Sequence, residues 1–316
     1  MPAPKRFQIL IAFAALYLIW GSTYLAIRFA IDTIPPLLMA GTRFLFAGVI
    51  MFVIARMQGA PRVTRADWRV ALIVGACLLF GGNGGVTLAE QYVSSGLASL
   101  IVATVPIYIA LIGWLAGSAP RPKPIVWLGL AGGFLGVGLL IGPALTFSPN
   151  EHNHPGTGML ILLVSSFLWS AGSIYSRMVK NAPSPFMATA LQMLCGGGLL
   201  FIAGVATGEL PRLRLHEITW LSFGSFAYLI VIGAIVGYTS YMWLLRHCDP
   251  AKVATYAYVN PIVAVLLGAA FAGETLSARA IVAAGLIIGS VALVITVQQV
   301  QAKGTSSIPA AAARVT

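Results

Sequence analysis

The sequence predicts an all-α integral membrane protein with ten transmembrane helices in two inverted five-helix repeats. Three observations predict this fold: an extremely apolar composition, a regular series of long apolar runs, and an internal repeat. Of the 316 residues, 59% are hydrophobic and only 9% are charged, whereas soluble domains carry about 25% charged residues. This composition excludes soluble, disordered and collagen-like chains, so we expect the lipid bilayer to surround the protein.

Each apolar run approaches the roughly 20 residues that a helix needs to cross a bilayer. Runs such as residues 139–141 are apolar on every side, whereas the strands of an outer-membrane barrel alternate apolar and polar residues. Charged residues, proline or glycine separate the runs. The predicted helices are 8–31, 37–56, 69–90, 95–116, 124–142, 158–179, 185–206, 219–244, 251–272 and 279–299.

The first apolar run is too long for a signal-peptide core and lacks a clear cleavage site, so we expect it to remain as a helix. The cysteines Cys77, Cys195 and Cys248 are odd in number and far apart. They are interpreted as packing residues, because this pattern does not support a disulfide framework.

The distribution of basic residues predicts the orientation in the membrane. If the N-terminus is cytoplasmic, 14 of the 19 lysines and arginines lie on the cytoplasmic side, as the positive-inside rule requires. We therefore expect a multi-pass protein of the inner (plasma) membrane with both termini in the cytoplasm. The net charge of +11 is then explained by topology and by anionic lipid headgroups, and nucleic acid is not an expected partner.

An internal repeat appears when the sequence is shifted by 149 residues. This shift places Trp20 on Trp169 and Arg28 on Arg177, and after short gaps Pro106 meets Pro261. Since each half holds an odd number of helices, the second half enters the membrane from the opposite side. The predicted domains are a first repeat at 1–147, an inverted second repeat at 148–300 and a cytoplasmic tail at 301–316. Inverted repeats are typical of transporters that work by alternating access.

Four short motifs carry a resemblance to a known family. They are Trp-Gly-Ser-Thr-Tyr at 20–24, Gly-Thr-Arg-Phe at 41–44, Tyr-Val-Asn-Pro at 258–261 and Gly-Glu-Thr-Leu at 273–276. In this order they resemble the EamA family of the drug/metabolite transporter superfamily, over about residues 8–299. The resemblance implies two inverted five-helix repeats and the movement, often export, of amino acids and other small metabolites. One departure is that residues 117–120 lack the acidic residue of 273–276, so the resemblance implies no role for the first copy.

Polar residues inside apolar helices are the first candidates for a substrate-binding site. Arg43 lies about seven residues, or roughly 10 Å, into its helix, where a guanidinium should face the protein interior. It could hold a substrate carboxylate through two parallel hydrogen bonds, or it could pair structurally with Glu90. Gln192 occupies the equivalent position in the second half. Glu90 is interpreted as a proton-responsive gate, a partner of Arg43 or a solvated helix end. Asn83, between two glycine pairs, indicates either a ligand contact or close helix packing.

Aromatic residues form a second set of candidates. Trp20 and Tyr24 share a helix face at i, i+4, and Tyr238 and Tyr241 share one at i, i+3. Such rings could line a cavity and stack on a substrate, although about half of the aromatics are expected in interfacial belts or packing. The other candidates of this set are Trp169, Tyr175 and Tyr258. Pro106 and Pro261 occupy equivalent places in the fourth and ninth helices and are predicted as hinges or gates, because a buried proline bends its helix.

The sequence gives little support for an enzymatic function. The histidines all lie in predicted loops, no phosphate-binding loop is present, and Glu151, His152 and His154 are more typical of a polar loop than of a metal site. We therefore expect no catalytic residue, metal or cofactor.

The predicted function is a secondary transporter for small organic solutes, with amino acids or related metabolites favoured by the resemblance. Its cavity is expected near the midplane, formed by helices other than the fifth and the tenth. A channel or facilitator, and a carrier of another solute class such as nucleotide sugars, remain alternatives. Phosphate-bearing substrates would need several basic residues, whereas the interior supplies chiefly Arg43. The sequence does not identify a coupling ion.

Overall fold

The computed structural model describes residues 6–119, 121, 123–141, 155–179, 184–248, 250–274 and 277–306, and these residues form helices and connecting turns without strands. We number the main helices in chain order. They are α1 (Arg6–Ala30), α2 (Pro36–Met57), α3 (Arg65–Ala89), α4 (Ser95–Leu115), α5 (Pro124–Ile141), α6 (Pro155–Met178), α7 (Pro185–Ala206), α8 (Trp220–His247), α9 (Tyr256–Phe271) and α10 (Ala278–Ser306).

The helices of the described residues are apolar enough for a membrane protein. Seven of them, α1 to α4 and α6 to α8, are long and apolar enough to cross a bilayer, and α5, α9 and α10 contain shorter apolar stretches. The predicted all-α membrane class is thus confirmed. The arrangement as ten spans in two inverted repeats stays a prediction.

Glycine turns end four of the helices at related positions. Gly59, Gly117, Gly208 and Gly273 follow α2, α4, α7 and α9 and have φ values of 76°, 68°, 75° and 63°. Only glycine adopts this left-handed conformation without a steric penalty. Gly59 and Gly208 lie 149 residues apart, which is the offset of the sequence repeat.

The packing combines helices from both halves of the sequence. Helix α1 packs against α8 and α9, and we call α1, α8 and α9 the first group. Helix α6 packs against α3 and α4, and we call α6, α3 and α4 the second group. Helix α2 packs closely on α7, and α5 packs on α10. Glycines allow the close α2–α7 approach, because a Cβ at Gly41 would lie 2.6 Å from the backbone nitrogen of Phe201.

Irregular turns occur in helices around the centre of the bundle. Helix α3 contains a π-helical segment at Ala76–Asn83, and α8 contains one at Leu229–Tyr238. Such segments are frequent at functional sites. Helix α4 is interrupted at residues 103–104, and a separate turn, Pro250–Val253, precedes α9.

The two predicted hinge prolines lie differently with respect to these interruptions. Pro106 stands within the first turn after the break in α4, whereas Pro261 lies inside α9, six residues after the break at 254–255. A threonine marks each break: Thr104 Oγ1 donates to the carbonyl of Ile101, and Thr255 Oγ1 donates to that of Lys252. The hinge function of both prolines stays a prediction.

Candidate binding cavity

A central cavity lies between the two groups of helices. Its lining comes from α1, α2, α3, α4, α6, α8 and α9, with no described contribution from α5, α7 or α10. The cavity volume is about 70 Å³, enough for several water molecules at about 10–15 Å³ each. Small-molecule pockets usually measure about 300–1,000 Å³. The cavity is therefore smaller than a typical small-molecule pocket.

Six of the sequence-predicted residues line this cavity together. The others lie behind its wall, at its margin or outside the described side chains. The six residues are Trp20, Tyr24, Arg43, Asn83, Trp169 and Tyr238.

Arg43 supplies the positive charge of the cavity. Arg43 is 2% exposed, and its guanidinium donates from Nη2 to the side-chain oxygen of Asn83. Its Nε has no hydrogen-bond partner among the described residues. A buried donor without a partner is costly, and the described residues do not supply a partner for this N–H. The Arg43–Asn83 pair joins α2 to the π-helical segment of α3.

The glycines beside Asn83 are required by packing. A Cβ at Gly82 would lie 2.8 Å from the ring of Trp169, and Gly81 and Gly85 abut Leu168 and Ser165 of the same helix. The close helix packing predicted for this segment is therefore present, because the glycines pack closely against α6. Asn83 itself lines the cavity, and its contact with a ligand stays a prediction.

Two tryptophans from equivalent positions of the two halves meet at the centre. The rings of Trp20 and Trp169 lie 5.3 Å apart at 80°, an edge-to-face arrangement. Tyr256 also packs edge-to-face on Trp20 at 5.3 Å, and Tyr238 packs on Trp169 at 6.4 Å. The cavity wall is thus an aromatic cluster that could stack on an apolar or aromatic part of a solute.

Tyr241 and Gln192 stand behind this wall and support it. Tyr241 is 1% exposed; its hydroxyl accepts a hydrogen bond from Trp169 Nε1 at 3.1 Å and lies 2.7 Å from the Ser173 hydroxyl. Gln192 is also 1% exposed, and its Oε1 accepts from the hydroxyl of Tyr238 at 2.9 Å. The structure places neither side chain in the cavity lining, so their direct contact with a substrate is not supported in this conformation.

The structure contradicts two of the three interpretations of Glu90. It is 0% exposed, so the solvated helix end is wrong. It forms no ion pair with Arg43 within 4 Å in the described part of the chain, and both of its carboxylate oxygens lack hydrogen-bond partners there. It therefore lies buried at the end of α3, outside the described cavity lining. The expectation that Arg43 pairs with Glu90 is replaced by the Arg43–Asn83 contact.

The two remaining tyrosines do not reach the described lining. Tyr175 is half-buried and packs against the hydrophobic core of the bundle. The backbone of Tyr258 lies in α9, but its side chain is outside the described residues.

Four lining residues are not among the predicted site residues. Tyr256 and Asn260 face the cavity from α9, and Ser165 and Ser166 face it from α6. The hydroxyl of Ser166 is buried without a hydrogen-bond partner among the described residues. The sequence signal for the two serines is a polar pair in the middle of an apolar run, and for Tyr256 it is the group of aromatic residues in the second half, of which Tyr258 is a predicted site residue.

Metal binding finds no support in the part of the chain that the structure describes, where no group of three His, Cys, Asp or Glu side chains converges. Glu151, His152 and His154 lie outside the described residues.

Arginines at equivalent positions join the two groups at opposite ends of the cavity. Arg28 of α1 donates to the backbone carbonyl of Glu90, just after α3, at 3.1 Å. Arg177 of α6 donates to the backbone carbonyl of Cys248, just after α8, at 3.0 Å. We call these ends the Arg28 end and the Arg177 end. Each contact pairs a cation with the negative end of a helix dipole.

Comparison with known proteins identifies similar sequences across nearly the whole chain. The model of the EamA-like transporter family matches residues 7–142 and again residues 156–296. The chain is 40% identical over 285 residues to the uncharacterized inner membrane transporter YedA of Escherichia coli strain K12, covering 90% of this chain and 89% of that protein.

More distant relatives and a solved structure extend the comparison. The transporter YvbV of Bacillus subtilis is 27% identical, covering 94% of both chains. A probable amino-acid metabolite efflux pump of Salmonella typhimurium is 26% identical, covering 85% of this chain and 90% of that protein. A crystal structure with 19% identity superposes with a TM-score of 0.65, covers 93% of this chain and 99% of that one, and shares the fold. The three named relatives are described as transporters or a pump, which is not an enzymatic role.

Proposed function

We propose, from the premise that the chain belongs to the EamA-like transporter family, that this membrane transporter is a secondary carrier. It moves small organic solutes by alternating access, and amino acids or related metabolites are its favoured cargo. The observation that carries the proposal is the central cavity, which joins one cation, Arg43, to an aromatic wall built by Trp20 and Trp169.

The helix packing supports alternating access. The two groups that border the cavity, α1 with α8 and α9 and α6 with α3 and α4, exchange identity when the two sequence halves are exchanged. The family model also matches the chain twice, at residues 7–142 and 156–296. We therefore assign the repeats to residues 1–147 and 148–300, with 301–316 as a tail. Inverted repeats provide two related conformations that open toward opposite sides of the membrane.

The chemistry of the cavity favours a solute with one anionic group and an apolar or aromatic part. The guanidinium of Arg43 binds a carboxylate, and its unpartnered Nε offers an additional donor. The rings of Trp20 and Trp169 stack on the apolar part. Arg43 is the basic residue in the described lining, so nucleotide sugars with their paired phosphates are disfavoured. The efflux pump of Salmonella typhimurium supports export of an amino-acid metabolite.

The proposed location is the inner membrane, with both termini in the cytoplasm. The relative YedA is described as an inner membrane transporter, and the positive-inside distribution of lysine and arginine gives the orientation. In this orientation the Arg28 end of the cavity faces away from the cytoplasm.

Counterflow in proteoliposomes tests the proposed function. Vesicles are loaded in turn with pooled amino acids, aromatic monocarboxylates, nucleosides and sugars, and uptake of the labelled solute is measured with the unchanged chain. We expect saturable exchange with an amino-acid or carboxylate pool. Exchange with none of the pools would contradict the proposed cargo.

Kinetics separate the carrier from the facilitator. A carrier that alternates its access accelerates uptake when the same solute is present on the opposite side, whereas a channel conducts without saturation or counterflow. Non-saturating flux without acceleration would overturn the carrier proposal in favour of a channel. Arg56→Ala is the matched control for arginine removal, because Arg56 is exposed and bonds only to the nearby carbonyl of Ala60 in the described structure.

A further inference from the structure

The carboxylate of Glu274 binds the start of α4. Its Oε1 accepts hydrogen bonds from the backbone N–H of Ser95 at 2.9 Å and from the Ser95 hydroxyl at 2.8 Å, and its Oε2 accepts from the backbone N–H of Gly96 at 3.0 Å. The first N–H groups of a helix have no partner within the helix, and the dipole favours an anion there. Three bonds to one carboxylate make this a strong contact.

This contact joins the two groups of helices between which the cavity lies. Glu274 follows α9 of the first group, whereas Ser95 and Gly96 begin α4 of the second group. It lies at the Arg28 end, because the turn that follows Glu90 leads directly into Ser95. Opening the cavity at this end requires the two groups to separate, and that movement breaks the bonds of Glu274.

Small residues allow the carboxylate to fit at this boundary. A Cβ at Gly268 would lie 2.5 Å from Glu274 Oε2, and a Cβ at Gly96 would lie 3.4 Å from it. Gly273 holds the turn before Glu274 with φ 63°. The position of the carboxylate is thus fixed by a glycine turn and by two glycines that leave room for it.

The opposite end has an equivalent glycine turn, but no equivalent contact is found there among the described residues. Gly117 follows α4 with φ 68°, and the next residue is Ser118, whose hydroxyl donates to the carbonyl of Gly113 in its own helix at 3.0 Å. The helical turn before α9 begins with Pro250, which has no backbone N–H to offer. One arginine contact occurs at each end, so the contact of Glu274 distinguishes the two ends in the part of the chain that the structure describes.

We propose that Glu274 is a positioning residue that holds the Arg28 end of the cavity closed and biases the resting transporter toward opening at the Arg177 end. This inference rests on the alternating access proposed above. Loss of one hydrogen-bonded charge of this kind changes an equilibrium by about tenfold or more. Removal of the carboxylate therefore shifts the ratio of the two open conformations about tenfold toward opening at the Arg28 end.

Distances between pairs of spin labels, measured by double electron–electron resonance without solute, test this inference. Gln91 with Ala272 reports the separation of the two groups at the Arg28 end, and Ala116 with Lys252 reports it at the Arg177 end; all four positions are exposed. The labels are introduced into a background in which the three native cysteines are replaced by serine and solute exchange is retained. Glu274→Gln is expected to increase the long-distance population at the Arg28 end and decrease it at the Arg177 end.

Glu209→Gln is the matched control for this experiment. Glu209 also follows a glycine turn, and its carboxylate accepts from the backbone N–H groups of Leu37 and Leu38 at 3.2 and 2.9 Å. It joins α7 to α2, however, and this pair belongs to neither group. Its removal is expected to lower stability without changing the ratio of the two conformations. Ser95→Ala removes one of the three Glu274 bonds and is expected to give a smaller shift in the same direction as Glu274→Gln.

The outcomes separate this inference from the function on which it rests. The label distances at the two ends could change in opposite directions in the unchanged chain while neither Glu274→Gln nor Ser95→Ala shifts the distance populations. That result would overturn the role of Glu274 and leave alternating access intact. A single distance population at each end, with and without the transported solute, would overturn alternating access itself. An equal shift in Glu209→Gln would show that lost helix capping, and not the contact between the groups, causes the change.

Discussion

Arg43 on α2 donates a hydrogen bond to the side-chain oxygen of Asn83 on α3, and both side chains line the central cavity. The neutral amide orients the guanidinium without cancelling its charge, since an amide oxygen accepts a hydrogen bond but carries no formal charge. The cation therefore keeps its charge for the anionic solute that we propose. The aromatic wall around it lowers the local dielectric constant and so strengthens that attraction.

Arg43→Ala is expected to reduce the affinity for a carboxylate-bearing solute by about 10–100-fold, the range of one hydrogen bond to a charged group at about 1.5–3 kcal/mol. Arg43→Lys keeps the charge but loses the planar pair of donors, so its loss should be smaller. The half-saturation concentration for exchange measures both effects. Equal affinity in Arg43→Ala and in the Arg56→Ala control would contradict a role of Arg43 in binding.

Asn83→Asp is expected to weaken binding of anionic solutes more than Asn83→Ala does. The new carboxylate pairs with Arg43 and competes with the carboxylate of the solute, whereas alanine leaves the positive charge in place. We expect a loss of about tenfold or more in affinity for the Asp variant, since a charged partner raises the strength of the hydrogen bond. Competition experiments with one neutral and one anionic solute measure the difference. A stronger effect of alanine than of aspartate would refute the assignment of Asn83 as a neutral partner.

Tyr241→Phe is expected to lower the free energy of unfolding by about 1–3 kcal/mol, because the buried indole N–H of Trp169 loses its acceptor. Thermal unfolding in detergent measures this loss. Combination with Trp169→Phe in a double-mutant cycle isolates the pair. Additive effects of the two substitutions would show that the Trp169–Tyr241 hydrogen bond does not stabilise the aromatic wall.

The sequence was sufficient for the helical class and for several cavity residues, because membrane helices follow from apolar length and from rare polar residues within them. Trp20 and Trp169 were paired by the repeat before the structure placed them 5.3 Å apart. The repeat also paired Arg28 with Arg177, but sequence alone gave no reason for the pairing. The structure supplies it, since each arginine bonds the carbonyl at the end of a helix from the other group.

Other features depended on side-chain orientation, which sequence spacing does not determine. Tyr238 ends the π-helical segment of α8 and Tyr241 lies in the regular helix that follows, and their i, i+3 spacing did not place both at the surface of the cavity. Tyr238 lines the cavity and Tyr241 supports Trp169 from behind. Glu90 appeared solvated because it ends an apolar run, yet neighbouring helices cover it completely.

The glycine run at 196–198 on α7 provides a matched test of close helix packing. A Cβ at Gly196 would lie 2.6 Å from the Cβ of Leu79 and 2.7 Å from the carbonyl oxygen of Gly75 on α3, and backbone atoms cannot move aside cheaply. No atom lies within 4 Å of a Cβ at Gly198, in the part of the chain that the structure describes.

Gly196→Ala is therefore expected to lower the free energy of unfolding by about 1–3 kcal/mol through overpacking. Gly198→Ala should leave it unchanged or raise it by up to about 1 kcal/mol, since alanine favours the helix. Thermal unfolding of the two purified variants, measured side by side, gives the comparison. Because both residues lie on one helix and receive the same methyl group, equal stability of the two variants would mean that α3 and α7 are not as close as the structure places them.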